Sequence, residues 1–321
     1  MVQHVHHLNC ISSCPLGGAL MDGRSKTAIR GRLACHCLLV ETGDGLVLVD
    51  TGFGLRDVER PRARLSPFFL ALVSPDFREE MTAIRQIERL GFDPRDVRHI
   101  VLTHLDFDHA GGLDDFPWAN VHLLAREREA AVARRTPLDK ARYRPQQWSG
   151  QASWRTYAPA AGETWEGFEC VRQLEGVSPD ILLVPLIGHT HGHAAVAVRR
   201  QEGWLLLAGD AYFDSRELNL DRPRCTPGLR FYQWMMEKNR AQRLRNQQRL
   251  RDLKRAHLDA GDLLITSSHD PVEFERLAGR ALDSRPPLGD GLAAKGTPDT
   301  SDRRDTIRDE SWKPWAPPSA P

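Results

Sequence analysis

The sequence predicts an α/β (α+β) fold in which several strands end near one chemically active edge. Three observations carry this reading. Short runs rich in Leu, Val and Ile alternate with stretches of helical periodicity. CHCLLVETGDGLVLVDTG, beginning at Cys35, reads as two strands joined by a tight Gly-Asp-Gly turn. A His or Asp stands just past four separate apolar runs, at His104–His109, His189, Asp210 and His269.

Each element follows in order. The second hairpin strand ends at Asp50-Thr51-Gly52. Met81, Ile84, Ile87 and Leu90 recur at helical spacing across Glu79–Leu90, and Gly91 supplies a stop signal. RHIVLT (Arg98–Thr103) is a buried strand that delivers His104, and ANVHLLA (Ala119–Ala125) is another. From Arg126 to Glu175 the pattern loosens. Trp148, Trp154, Tyr157 and Trp165 lie there among Pro, Gly and Gln, suited equally to packing and to a pocket wall. DILLVPL (Asp180–Leu186) leads into GHTHGH, and AAVAVRR with WLLLAGD forms a hairpin about Gln201-Glu202-Gly203 that ends at Asp210. A long helix is expected from about Phe231 to Ala260, after which DLLITSSHD delivers His269. Residues 1–283 read as one domain with insertions near 58–77 and 126–175. Residues 284–321, rich in Pro, Gly, Asp and Ser, read as a disordered tail.

With 321 residues, 40% hydrophobic and 27% charged, the chain has the composition of a soluble globular enzyme. A formal net charge of +1 gives no global attraction to nucleic acid or anionic membrane. The segment from Lys238 to Arg255 is strongly basic, but its Ala241, Leu244, Leu250 and Leu253 stripe fits a helix packed on a sheet with its charges in water. The start, MVQHVHHLNC, lacks a signal-peptide layout, and LSPFFLALV (Leu65–Val73) is far shorter than a membrane span. A cytoplasmic protein without nucleic-acid or membrane partners is expected. Cys10, Cys14, Cys35, Cys37, Cys170 and Cys225 show no paired CxxC spacing and read as reduced thiols. His4, His6 and His7 read as incidental imidazoles on an exposed first strand, His191 as a loop residue, and His193 as a packing or supporting one.

The strand-end residues are what carry chemistry. Ends of neighbouring strands converge on one edge of a sheet, where open sheets place their sites. Three or four imidazoles and carboxylates gathered there can replace the hydration shell of a divalent ion. Gly111 and Gly112 permit close backbone approach just after the HLDFDH turn.

DTG (Asp50–Gly52), HLDFDHAGG (His104–Gly112), GHTHGH (Gly188–His193), GD (Gly209–Asp210) and SHD (Ser268–Asp270) together resemble the metallo-β-lactamase-fold hydrolases, in motif order and in strand context. The resemblance covers roughly Cys35 to Leu277. It implies a four-layer αββα sandwich with a dinuclear metal site at one edge. It makes His104 and His189 ligands of a first metal, with Asp106 standing where the family has a second histidine. It makes Asp108, His109 and His269 ligands of a second metal, Asp210 the bridging carboxylate, and Asp50 a structural aspartate bracing the metal loops. The wording HLDFDHAGG is most similar to lactone and ester hydrolases, including acyl-homoserine lactonases. The implied activity is hydrolysis of an ester or lactone-type carbonyl in a small-molecule substrate by a metal-bound hydroxide. Asp108 would then shuttle a proton to the leaving group, and Tyr212 would donate a hydrogen bond to the carbonyl oxygen. Leu65–Val73 would serve as a lid over an acyl chain, as a packed helix or as an oligomer contact.

Asp106 alters this picture. With Asp108 and Asp210 it makes three carboxylates, so the protein's charge at two divalent ions is −3 rather than −2. A less positive centre lowers the pKa of bound water less. Zn2+ is the first expectation, while the added oxygen ligand favours Mn2+ or Fe2+. Asp106→His is accordingly expected to strengthen zinc binding. Two other readings stay open, an iron-loaded redox enzyme and a non-catalytic binder that has lost the first metal.

Overall fold

In a computed structural model of the chain, residues 1–289 are described, except 152 and 159–161. Among the described residues twelve strands form two sheets. The first holds, in spatial and chain order, β1 (Val2–Asn9), β2 (His36–Thr42), β3 (Gly45–Val49), β4 (Val97–Val101), β5 (Asn120–Leu124) and β6 (Trp154–Tyr157). The second runs β12 (Leu263–Thr266), β11 (Gly203–Leu207), β10 (Ala194–Arg200), β9 (Ile181–Pro185), β8 (Phe168–Gln173) and β7 (Glu163–Trp165). The expected hairpin is β2–β3, antiparallel in register from Leu38–Val49 to Thr42–Gly45.

The two-residue period of each strand builds the layers. Leu38, Val40, Val47 and Val49 point between the sheets, where they meet Ile181, Leu183, Val196, Val198, Leu205 and Leu207. Cys37, Leu39, Leu46 and Leu48 point to the opposite face, onto Ala83 and Ile87 of the helix Ala83–Arg89. On the second sheet Leu182, Val184, Ala195, Ala197 and Leu206 face outward onto Leu250 and Leu253 of the helix Arg240–Ala256. The central strands of both sheets are therefore buried on both faces, which explains why they read as nearly continuous apolar runs. The arrangement is the expected αββα sandwich.

Two local expectations are corrected. The single long helix after Phe231 is two, Pro227–Met236 and Arg240–Ala256. The chain breaks between them because Asn239 caps the second helix through its side chain, and the Lys238 and Asn239 amides donate to Gly188 O instead of continuing the helical ladder. The loosened segment holds two helices, Ala125–Ala133 and Pro137–Arg142, along with β6, β7 and β8. Its tryptophans pack structurally. Trp148 and Trp154 cross edge to face at 5.8 Å against the first-sheet core, and Trp165 meets Trp204 at 5.2 Å. The six cysteines are unbridged. Just past residue 283, Pro286 O accepts from Arg89 Nε and the Gly289 amide donates to Arg89 O; residues 290–321, most of the expected tail, lie outside the described residues.

Away from the sheet edge, buried and half-buried histidines add an acid-sensitive contribution to stability. His7 Nδ1 lies 2.8 Å from His36 Nε2, and His99 Nδ1 lies 2.9 Å from His122 Nε2. Burial, helped by neighbouring positive charge, pushes His7 down to about 4, His122 down to about 3, and His36 well below its ordinary 6.5. The unfolded chain takes up protons near 6.5 while the folded chain stays neutral until about 4 or lower. The stability these histidines contribute is therefore complete above 6.5 and falls as pH drops below it, by up to about 1.4 kcal/mol per pH unit each. The buried Asp115 and Glu273 carboxyls, pushed up to about 7 and about 8, act in the opposite direction. Urea unfolding of chelator-treated wild-type and His122→Phe proteins between pH 7.5 and 4.5 is expected to show the histidine contribution as a shallower loss in the variant. Identical pH slopes for the two proteins would contradict it.

Candidate metal centre

β3, β4, β9, β11 and β12 all present their carboxyl ends at the same edge of the sandwich. Just beyond those ends stand Asp50, His104, His189, Asp210 and His269, in that order. Two groups of ligand-competent atoms form there, one of His104, His189 and Asp210 and one of Asp108, His109 and His269, all of them buried.

Asp210 faces both groups. Its Oδ1 lies 3.2 Å from His109 Nε2 and 3.1 Å from His269 Nε2. Its Oδ2 lies 3.3 Å from His189 Nε2 and 3.8 Å from His104 Nε2. His109 Nε2 and His269 Nε2 are 3.3 Å apart, and Asp108 Oδ2 is 3.8 Å from His269 Nε2. Atoms bound to one ion at about 2.0–2.1 Å in a tetrahedron are separated by about 3.3 Å, so these spacings suit a divalent ion.

The supporting hydrogen bonds fix the imidazoles. His109 Nδ1 donates to Asp50 Oδ2 at 2.8 Å, and His269 Nδ1 donates to Ala34 O at 2.8 Å. Thr103 Oγ1 donates to Asp50 Oδ2, which leaves the hydroxyl oxygen to accept from His104 Nδ1 at 2.9 Å. In each case the outer nitrogen carries the proton and Nε2 is aimed inward. Asp50, held at φ +53° by these bonds and by the Thr103 amide, thus braces the turn that follows β4. His193 also supports rather than ligates. Its Nδ1 donates to Leu186 O, and its Nε2 accepts the Asp210 amide at 2.9 Å. Gly209 makes this possible, since a Cβ there would come within 2.6 Å of His193 Nε2, at a φ of +56°.

The electrostatics favour a cation. Burial lowers the pKa of His109, but the Asp210 and Asp50 carboxylates override it and hold the imidazole well above its ordinary value. His269 is raised in the same way by Asp210 and Asp108. Burial and the neighbouring His109 charge push His104 well down. Burial would raise Asp210, yet His269, His109 and His189 keep it ionised. The fit is sharpest at His104 Nε2, which is buried and has no hydrogen-bond partner among the described residues, although Asp106 and Asp210 oxygens lie 3.4 and 3.8 Å away. Such an atom is satisfied by a metal ion.

Asp106 is positioned by a residue the sequence reading missed. Arg142, the last residue of the helix Pro137–Arg142, is fully buried and grips Asp106 with both arms of its guanidinium. Its Nε donates to Oδ1 at 2.7 Å, and its Nη2 donates to Oδ2. Burial would raise Asp106, but the Arg142 charge, with His104 and His189, holds it well below the carboxylate range. The local charge is therefore −2 after all, three carboxylates and one guanidinium, which removes the expected penalty on bound-water acidity. Glu127 was also missed. Its carboxylate accepts the Leu105 and Gly192 amides, tying the His104 turn to the His189 loop.

Tyr212 departs from expectation. Its hydroxyl donates to Glu273, 2.9 Å from Oε2, and its ring is buried in the core beneath the second sheet. The backbone at Tyr212 is extended, which turns the side chain away from Asp210 and into that core. Tyr232, on the helix Pro227–Met236, faces the centre instead. It lines a small cavity with Asp108, His269, Leu33, Leu72, Val73 and Phe213. Burial, and then the Asp108, Asp106 and Asp210 charges, keep its phenol protonated far above the usual tyrosine range. In the Leu65–Val73 stretch, Phe69 and Val73 are buried while Phe68 is exposed, so it is a packed helix with one edge on this cavity. A larger hollow beside β1, lined by His4, His6 and Arg280, contains none of the clustered residues.

A sandwich with two His/Asp clusters sharing one carboxylate at its strand ends defines a scaffold of the divalent-metal enzyme class. Within that class, this chain belongs to the metallo-beta-lactamase superfamily, whose family model matches residues 30–274. It is 43% identical over 271 residues to the "Probable metallo-hydrolase Rv2300c" of Mycobacterium tuberculosis, covering 84% of this chain and 81% of that one. It is 26% identical over 215 residues to an N-acyl homoserine lactonase of Bacillus sp, covering 65% of this chain and 78% of that one. Its fold is similar to the solved structure of an N-acyl homoserine lactone hydrolase with the product N-hexanoyl-L-homoserine bound at its catalytic metal centre. There the TM-score is 0.64 at 21% identity, with 86% of this chain and 96% of that chain covered. Among the described residues no helix is long and apolar enough to cross a membrane.

Proposed function

We propose that the protein is a metal-dependent hydrolase of ester or lactone-type carbonyls in small molecules. The observation that carries this reading is Asp210, whose two oxygens face two separate histidine pairs at 3.1–3.8 Å. His104, His189 and Asp210 would hold one ion, and Asp108, His109, His269 and Asp210 the other, with Zn2+ the first candidate. Ions bound there would polarise the carbonyl and activate a water. Asp108 has an oxygen at the edge of the second cluster and is placed to carry a proton to the leaving group. Tyr232, rather than Tyr212, would donate to the carbonyl oxygen, since it lines the cavity beside Asp108 and His269. Leu33, Leu72, Val73 and Phe213 offer the substrate an apolar wall and exclude water from the reacting atoms. The lactonase relative and the product-bound hydrolase of similar fold support a lactone or ester over other bonds.

The test is a panel of esters, lactones, thioesters and phosphoesters assayed with metal content counted in parallel. Turnover confined to phosphoesters, or none with metal bound, would overturn the assignment. Tyr232→Phe is expected to lower kcat about a hundredfold on the best substrate, as loss of an oxyanion donor does. Tyr212→Phe should leave kcat unchanged and cost about 1–3 kcal/mol of stability, because Glu273 loses a buried partner. The reverse pattern would return the role to Tyr212.

A further inference from the structure

We propose that Arg142 is a built-in competitor for the first metal position, so that the two positions fill unequally. This rests on the metal-dependent reading above. The guanidinium is held from three sides. Asp106 takes its Nε and Nη2, Met236 O at the end of the helix Pro227–Met236 accepts from Nη1 at 2.8 Å, and Nη2 lies 2.9 Å from His189 Nε2. Arginine nitrogens only donate, so the His189 tautomer that accepts from Arg142 uses the single lone pair of Nε2 on that N–H, and the other tautomer donates from Nε2 to Asp106 Oδ2 at 3.1 Å. The same lone pair would bind an ion beside His104 Nε2 and Asp210 Oδ2. Asp106 can serve both cations through its several lone pairs; His189 cannot.

Charge acts in the same direction. Asp106 is the carboxylate nearest the first cluster apart from Asp210, and its charge is already neutralised by a cation that cannot lose its proton. A divalent ion entering there must take His189 from Arg142 and sit beside a fixed positive charge. The second cluster has no such rival. Asp108, His109 and His269 have no Arg or Lys among their ion-pair partners in the described residues. The second position therefore loads first and tightly, and the first fills only at higher metal activity.

Zn2+ titration of the chelator-stripped full chain by calorimetry, with bound metal counted after dialysis, tests this. The wild type is expected to bind one ion tightly and a second at least about tenfold more weakly, in the range by which groups around a metal's ligands tune affinity. Arg142→Met should tighten the second ion by about tenfold or more and leave the first unchanged. Arg142→Lys, which keeps a cation, should preserve the unequal loading. Two wild-type ions of equal affinity would overturn the proposal, as would an Arg142→Met protein whose second ion binds no better or worse. The wild-type isotherm decides even if Arg142→Met fails to fold. Unequal loading without hydrolysis of any panel substrate would sink the proposed activity and leave this inference standing. Equal loading with hydrolysis would do the opposite.

Discussion

An Asp210→Asn protein is expected to lose more than a hundredfold in turnover and to retain at most one weakly held ion. Among the described residues Asp210 is the one side chain whose oxygens approach both histidine pairs, so an amide there removes an anion and an acceptor from both positions at once. Changes to groups that merely orient a metal's ligands cost about 10–100-fold, and a carboxylate shared by both clusters should exceed that. His109→Ala is expected to be similarly damaging, because His109 Nε2 faces Asp210 and its Nδ1 is anchored on Asp50. Steady-state turnover together with metal counting checks both. An Asp210→Asn protein with wild-type turnover would rule out a centre built on this carboxylate.

The second large effect is on folding. Asp106→Ala should destabilise the metal-free protein by about 3–5 kcal/mol, the cost of leaving a buried charge without its partner. Arg142 is fully buried, and Asp106 is its sole carboxylate partner among the described residues. Met236 O, at a helix carboxyl end, offsets only part of the loss. Replacing both partners, as in Asp106→Leu with Arg142→Met, should recover most of the stability because no orphaned charge remains. Urea unfolding of the two proteins in the presence of chelator measures this, and an Asp106→Ala protein as stable as the wild type would contradict it. The same reasoning revises what is expected of Asp106→His. That change alone sets an imidazole against an uncompensated guanidinium, so stronger zinc binding requires the Arg142 change as well.

Much of the site was legible in the sequence, for a definite reason. Period-two alternation and apolar runs identify strands, and polar residues immediately past strand ends must lie at a sheet edge, so His104, His109, His189, Asp210 and His269 fall together once the strands are parallel. Asp50 was legible through the resemblance of DTG to the family's motif. The departures share another cause. Arg142 pairs with a carboxylate 36 positions away, from a stretch with no clear periodicity, and Glu127 reaches Gly192 across 65. A buried ion pair leaves no local pattern, because an arginine that will meet a carboxylate in the core looks in sequence like one destined for water. The direction of a side chain one or two residues past a strand is likewise undetermined by spacing, and so Tyr212 turned into the core while Tyr232 reached the centre from a helix. The helix break at residues 237–239 arose from a contact with Gly188 that only the assembled chain provides.

The sequence alone determined the strands and brought their end residues to one edge, because both follow from local periodicity and the geometry of sheet edges. The αββα layering and the ligand set were implied by the resemblance of its motifs to the metallo-β-lactamase-fold hydrolases. The tertiary structure decided the charge on Asp106, the phenol that faces the cleft and the rivalry for His189. Those depend on which distant side chains are buried against one another, and burial sets the strength of a charge only after the chain has closed around it.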